Sequence, residues 1–558
     1  MRRDRREKGK KKKIIIGLVV FFVFIFTIIA FFNITIKDPN SGKIQIVINN
    51  NNITSKLKKD AYVNDKGTIY MSLADVRVFL DNYIYNDQAN EQIITTYGEK
   101  IGVLSIKDKK ININNTELEL TSGVEEKNGQ IFIPLSLMSN IYNMEMTYVK
   151  DQKIFTMDSL DRELIKMDVA KNTKVRNKNT VFSRPVDKVK RGEKVILVEK
   201  KNGWSKIRTT RGKVGYVKSS SLQNEVYVRQ KLEKKPQISG KVNMVWDYFS
   251  EYAKAPNRVG TKIVGVNVVS PTFFHLVKSG EGKLHANVGD KGAGYIKWAK
   301  QNNYKIWGMV SNNSYKDTTS KILNSYKLRT NLINNIVYAT TTFELDGVNI
   351  DFENLKKEDK DVFSRFIIEL KPKLKEAGKV LSVDTTALDG GDDWSECYDR
   401  NLIGNVADYL VFMGYDQYSS NSKKAGTTAG YNWIENNIKK LIDREEVKSE
   451  KIILAMPFYT RLWKEKNGKL SSQTVAMKEI DKTLPKNIQK VWNDDLKQNY
   501  VEYVKNNTTY KMWIEDEASI RAKISLVRQY SLGGIAEWEK DRETDNIWNV
   551  ILEELEKQ

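Results

Sequence analysis

The 558-residue chain has one cysteine, two histidines and nine prolines. A single cysteine, Cys397, excludes any disulfide within the chain. It is read as a small buried side chain rather than a reactive thiol. The histidines, His275 and His285, have no cysteine beside them, so the usual zinc ligand set is missing. His275, in SPTFFHL, is read as a loop or rim residue and not as a base. The sequence contains no G-x-S-x-G and no G-x-x-x-x-G-K-[ST], so serine hydrolysis and P-loop chemistry have no motif to rest on.

Long apolar runs are scarce too. One stands out: IIIGLVVFFVFIFTIIAFF, residues 14–32, carries no charge. As a helix rising about 1.5 Å per residue it matches a bilayer core of about 30 Å. The basic segment before it, MRRDRREKGKKKK (residues 1–13), places the N-terminus in the cytoplasm by the positive-inside rule. A cleaved signal peptide is the alternative. It calls for a shorter apolar region and a small-x-small cleavage site, and FFNITIKD offers neither cleanly. The expectation is a single-pass signal anchor in the cell membrane, with residues 34–558 outside the cytoplasm facing the cell wall.

Charge of one sign dominates locally. Of the net +22, residues 1–13 hold +7 and residues 161–220 hold +12, which leaves +3 for the rest. Basicity confined to two segments does not make the chain a nucleic-acid binder, and no nucleic-acid partner is expected. The apolar fraction of 40% and charged fraction of 29% are those of folded protein, and the length suggests several domains.

Residues 44–158 contain two similar passages, GTIYMSLADVRVFLDNYIY and GQIFIPLSLMSNIYNMEMTY. Each reads as a strand, a turn and a short amphipathic helix, followed by another strand (QIITTYG and KIFTMDS). This resembles the α+β module named after the N-terminal domain of copper amine oxidases. The segment has no His or Cys, so no copper is expected, and a spacer or wall-contact role follows. Residues 165–225 have short β-rich runs with Gly turns. Gly203, Trp204, Lys206 and Ile207, then Gly212, Gly215, Tyr216 and Val217, resemble the signature of a small bacterial SH3-type barrel that binds cell wall. The +12 lies on this unit. Anionic wall polymers are one partner it suits; a merely solvated basic face is the other reading. Residues 226–240, including LEKKPQISG, read as a linker.

From 241 to 558, eight strand-like runs alternate with helical patterns: VNMVWDYF, KIVGVNVVS, YKIWGMVS, GVNIDFE, VLSVDTTA, DYLVFMGYD, KIILAMPFY and GGIAEWE. DVFSRFIIELKPKLKEAG is one of the helical segments, stopped at Gly378. The pattern predicts a (β/α)8 TIM barrel with its active residues at the C-terminal strand ends. Along LDGVNIDFENL, alternation turns Val348, Ile350 and Phe352 toward the helices and Asn349, Asp351 and Glu353 into the barrel.

At these residues the chain resembles glycoside hydrolase family 18, the chitinase family, whose motif is D-x-x-D-x-D-x-E. Here it reads Asp346, Asn349, Asp351, Glu353. MGYD (Met413 to Asp416) resembles the family's M-x-Y-D, and AEWE contains Trp538, similar to the tryptophan under the reactive sugar. SPTFFHL, AMPFYTRLW and MWIEDEASIRAK resemble the branch containing spore-cortex and peptidoglycan N-acetylglucosaminidases. The resemblance implies a substrate-assisted retaining mechanism on N-acetylglucosamine β-1,4 linkages. It makes Glu353 the acid, Asp351 the partner of the acetamido N–H, and Tyr415 a donor to the acetamido oxygen. Asp346 and Asn349 would position Asp351 from behind. Trp538, Met413, Asp416, Tyr459 and Arg461 would bind substrate. Asn349 replaces the motif's second Asp and cannot take up a proton at neutral pH; the resemblance implies a trait of the spore branch that lowers or retunes activity. No cofactor and no metal are expected, although oxygen ligands leave Ca²⁺ or Mg²⁺ open. The substrate reading is peptidoglycan, with chitin oligosaccharides as the enzymatic alternative and a non-catalytic, lectin-like glycan binder as the other class.

Overall fold

The computed structural model describes residues 13, 15–27, 42–229, 238–250 and 256–557. Residues 15–27 are helical, and most of their apolar side chains, Phe22 and Phe26 among them, are exposed. Among the described residues no helix is long and apolar enough to cross a membrane. The remainder of the expected 14–32 span, residues 14 and 28–32, and the basic segment 1–12, lie outside the described residues.

The described chain divides into two compact units near residue 235. In the first, both repeated passages fold as strand then helix. The first gives Ile69–Ser72 and Leu73–Phe79, and the second Gln130–Pro134 and Met138–Tyr142. Ser72 caps its helix by accepting from the Asp75 N–H. The two strands pair antiparallel with each other. Residues 164–229 form a seven-stranded antiparallel sheet around a small core that includes Val175, Val195, Ile207 and Val217. This sheet corrects the expected linker. Residues 226–229 continue the strand Leu222–Arg229, paired with Leu164–Val169. Its outer face is exposed, so the run has no buried alternation to mark it as a strand. Residues 230–237, the rest of that linker up to Ile238, lie outside the described residues.

The second unit is built on eight parallel strands: β1 (Val242–Asp247), β2 (Val268–Pro271), β3 (Lys305–Ser311), β4 (Gly347–Asp351), β5 (Val380–Thr385), β6 (Tyr409–Met413), β7 (Ile452–Pro457) and β8 (Gly534–Trp538). Neighbours pair in chain order, and β8 pairs with β1, so the barrel closes. Closure brings Gly534 so near that a Cβ there would lie 2.1 Å from the Val242 carbonyl oxygen, which is why that position carries no side chain. Seven of the eight strands fall within the runs expected from the sequence, and β2 runs one residue past its own, to Pro271. The run KIVGVNVVS is strand only in its last three residues, Val268 to Ser270.

The core has two shells. Val348, Ile350 and Phe352 pack outward against the helices, with Leu381, Val383, Phe363 and Phe366. Met244, Trp246, Trp307, Val411 and Ala536 fill the interior. A five-stranded antiparallel sheet, residues 459–514, is inserted after β7. The sequence reading did not anticipate it, because its strands alternate like any half-exposed hairpin, and the family-like strings AMPFYTRLW and MWIEDEASIRAK that overlap its first and last strands do not by themselves indicate a sheet.

Candidate active site

β4 delivers its polar residues to the barrel mouth. Asp351 is its last residue, and Glu353 lies two positions beyond. The Glu353 backbone is fixed by Asn312, which follows β3. Asn312 Oδ1 accepts from the Glu353 N–H (3.1 Å) and its Nδ2 donates to the Glu353 carbonyl (2.8 Å). One buried amide thus continues the sheet past the strand end, so the acid side chain projects from rigid backbone.

The side chains meet in a cavity of about 150 Å³. Asp351, Glu353, Met413, Tyr415, Asp416, Tyr459 and Trp538 line it, together with Trp246, Met309, Asp384, Thr386 and Trp394. Trp538 and Trp246 meet edge to face, their centroids 5.6 Å apart, and form an apolar wall. Tyr415 and Tyr459 are also edge to face, at 6.3 Å. Tyr459 donates to Asp416 Oδ1 (2.7 Å), and the Arg461 guanidinium lies 3.8 Å from the same oxygen. Arg461 lines a second, larger cavity of about 690 Å³, which shares Trp394, Tyr415 and Asp416 with the first.

No Lys, Arg or His is among the residues lining the smaller cavity, while four carboxylates are. Buried acids without a cation retain protons. Burial first, and the neighbouring Asp384 charge second, push Asp351 up to about 8. Glu353 is raised well above the usual carboxylate range by burial, then by the charge of Asp351 and a hydrogen bond with it. Both shifts favour the protonated forms, so the pair is poised with an acid at the mouth. Burial also raises Tyr415 and Tyr459 well above the usual phenol range.

Two expected roles are corrected. Asp346 does not stand behind Asp351. It precedes β4 at the opposite, N-terminal end of the barrel, where it accepts from Lys305 Nζ (2.9 Å) and the Ile306 N–H (3.0 Å). Asp351 lies five residue steps farther along the strand, about 16 Å, and the parity of Asp346 along the strand differs from that of Asn349 and Asp351. Asn349 does lie beneath the site, but its amide donates to Asp384 Oδ1 (2.6 Å) and Ser382 Oγ (3.1 Å), not to Asp351. Its Oδ1 accepts from Trp246 Nε1 at 2.8 Å.

Asp384, Trp246, Trp394 and Asn312 were not foreseen as site residues. For Asp384 a signal existed: in VLSVDTTA, Leu381 and Val383 face the helices, so alternation alone turns Ser382 and Asp384 inward. For Trp394, on the short helical turn Asp392–Glu396 after β5, there was none. His275 pairs with His285 across the hairpin formed by Phe274–Leu276 and Leu284–Ala286, and neither lines either cavity. Cys397 is buried, and burial pushes its thiol up to about 11, as suits an inert side chain.

The chain belongs to the glycosyl hydrolases family 18, which it matches over residues 244–543; it is a glycosidase of that family. It also matches the bacterial SH3 domain over 171–223 and the copper amine oxidase N-terminal domain over 47–157. Three Bacillus proteins are similar to the catalytic part. The uncharacterized glycosylase YvbX of Bacillus subtilis is 26% identical over 51% of this chain and 84% of its own length. The putative sporulation-specific glycosylase YdhD of the same species is 29% identical over 42% of this chain and 56% of its own. The cortical fragment-lytic enzyme of Bacillus anthracis is 23% identical over 44% of this chain and 58% of its own. The chain thus spans little more than half the length of the last two.

Proposed function

We propose that this protein hydrolyses N-acetylglucosamine β-1,4 linkages of peptidoglycan at the outer face of the membrane, by a substrate-assisted retaining mechanism. The observation that carries the chemistry is the placing of Asp351 and Glu353 together in a cavity whose lining holds no cation, beside the Trp246–Trp538 wall. A sugar ring stacks on such a wall through its apolar face. Glu353 gives its proton to the glycosidic oxygen as the bond to the anomeric carbon breaks. The substrate's own acetamido oxygen forms the new bond to that carbon, an intramolecular attack favoured by high effective molarity. Asp351 accepts from the acetamido N–H and offsets the positive charge that develops on the ring. Tyr415 donates to the attacking oxygen. Glu353, now a carboxylate, takes a proton from the water that opens the cyclic intermediate.

Three features support the wall as the place of action. The similar cortical fragment-lytic enzyme carries a cortex substrate in its name. The SH3-type unit concentrates +12 of charge, suited to anionic wall polymers. The exposed apolar helix of residues 15–27 follows a basic segment, as a signal anchor does.

The deciding experiment measures release of reducing ends from purified peptidoglycan and from chitin oligosaccharides by the full chain and by Glu353→Gln. Wild-type release from peptidoglycan, reduced at least about 10²-fold in the variant, is expected. Release from chitin alone would replace the substrate. Equal inactivity of both proteins, with glycan still bound, would make the site a lectin.

A further inference from the structure

Asn349 occupies the position at which the D-x-x-D-x-D-x-E motif carries its second acid, yet the barrel interior still holds a carboxylate there. It comes from the adjacent strand. Asn349 and Ser382 are partners in the β4–β5 pairing. Two residues farther along each strand lie Asp351 and Asp384, whose side chains face the same way. Asp384 is 2% exposed and Asp351 8%, and both line the cavity.

The hydrogen bonds fix which way round the pair works. The Trp246 indole N–H can only donate, so it requires the Asn349 oxygen, at 2.8 Å. The Asn349 NH2 is then turned to Asp384 Oδ1 at 2.6 Å and to Ser382. An acid at 349 would set a second carboxylate against Asp384 at that distance, so the amide at 349 and the acid at 384 belong together. One Asp351 oxygen, Oδ1, is buried without a hydrogen-bond partner among the described residues. It is free to take the acetamido N–H of a substrate.

We propose that Asp384 is the positioning carboxylate of this site. Held by Asn349, it stands beside Asp351 and does from β5 what the motif's second acid does from β4. It acts through Asp351 and does not touch the reacting bond. The inference rests on the hydrolytic reading given above. The other titratable groups facing the cluster are Glu353 beyond β4, Tyr398 ahead of the helix Arg400–Val406, Tyr415 and Asp416 beyond β6, and Tyr459 beyond β7.

The test is an exchange series in the full chain: Asp384→Asn, Asn349→Asp, and the double exchange, assayed with Glu353→Gln on whichever glycan the wild type cleaves. Asp384→Asn is isosteric and is expected to lower kcat about 10²-fold with KM little changed. The acid limb of its kcat/KM profile, where Asp351 becomes the carboxylate the reaction uses, should move to lower pH, because the carboxyl that opposes its ionisation is replaced by an amide. Asn349→Asp should also lose activity, through carboxylate crowding. The double exchange restores one acid and one amide in reversed positions, and should recover most of the lost kcat. Wild-type kcat and pH profile in Asp384→Asn would overturn the proposal. So would a double exchange that melts like wild type yet is no more active than Asp384→Asn. Wild type as inactive as Glu353→Gln would instead remove the hydrolytic reading itself.

Discussion

Asp351 is the residue on which the site's electrostatics turn. Its pKa is raised in the fold to about 8, from an ordinary 3.8. A raised acid favours the folded state fully below its unfolded pKa, and that contribution is lost as pH rises through the folded value. The cost of ionising it in the fold therefore grows between about pH 4 and 8. Asp351→Asn has no such cost. We expect the variant to gain stability relative to wild type as pH rises through this window, by up to about 1.4 kcal/mol per pH unit. Urea denaturation at pH 5 and pH 8 checks this, and a constant difference would contradict it. The same substitution removes the charge that helps hold the Glu353 proton, so its residual activity should be lost at lower pH than that of wild type. Of these residues, Asp351 and Glu353 were legible in the sequence because a motif names them. Asp346 was misplaced by the same motif, since a letter pattern does not say at which end of a strand each letter falls.

At the scale of elements, the inserted sheet is tied to the barrel by one buried charge. Glu515 follows the strand Thr508–Ile514 and accepts from Lys523 Nζ (2.6 Å) and Ser519 Oγ (2.9 Å) on the helix Glu517–Gln529. Gln498 of the insert also donates to it. Glu515 and Lys523 are both wholly buried. Removing one member of such a pair leaves an uncompensated charge. Lys523→Met should destabilise the catalytic unit by about 3–5 kcal/mol, and adding Glu515→Gln should return part of the loss. Thermal melts of the single and double variants measure it; an unchanged single variant would show that the pair does not anchor the insert. MWIEDEASIRAK was legible as a family-like string. What it ties together was not, because the insert's strands are ordinary hairpins and their partners lie up to about 70 residues away in the chain (Thr427 to Gln498 is one such link).

At the scale of the molecule, charge and apolar surface are segregated from chemistry. The catalytic cavity is acidic, while the basic charge sits on the SH3-type unit and the N-terminal segment. Arg208 and Arg229 tie the SH3-type unit to Asp158 and the Ser159 carbonyl of the preceding module, so deleting the unit would uncover that junction. Neutralising the exposed Lys171, Lys178, Lys188 and Lys190 to Gln leaves it covered. The four-fold variant should bind isolated walls several-fold more weakly at low salt. The difference should vanish near 1 M, where the Debye length is about 3 Å. Equal binding at low salt would remove the anionic-polymer role. Membrane association that resists alkaline carbonate and depends on residues 14–32 is the matching check on the anchor.

The sequence by itself determined the order of the modules, the eight strand runs, the inward column Asn349–Asp351–Glu353 and the family. Each of these follows from local periodicity or from residues close in the chain. Only the tertiary structure decided that Asp346 lies at the far end of the barrel, that Asn312 clamps the acid, and that the carboxylate missing from position 349 is met by Asp384. Those facts depend on pairing between strands, and pairing sets distances that no spacing along the chain contains.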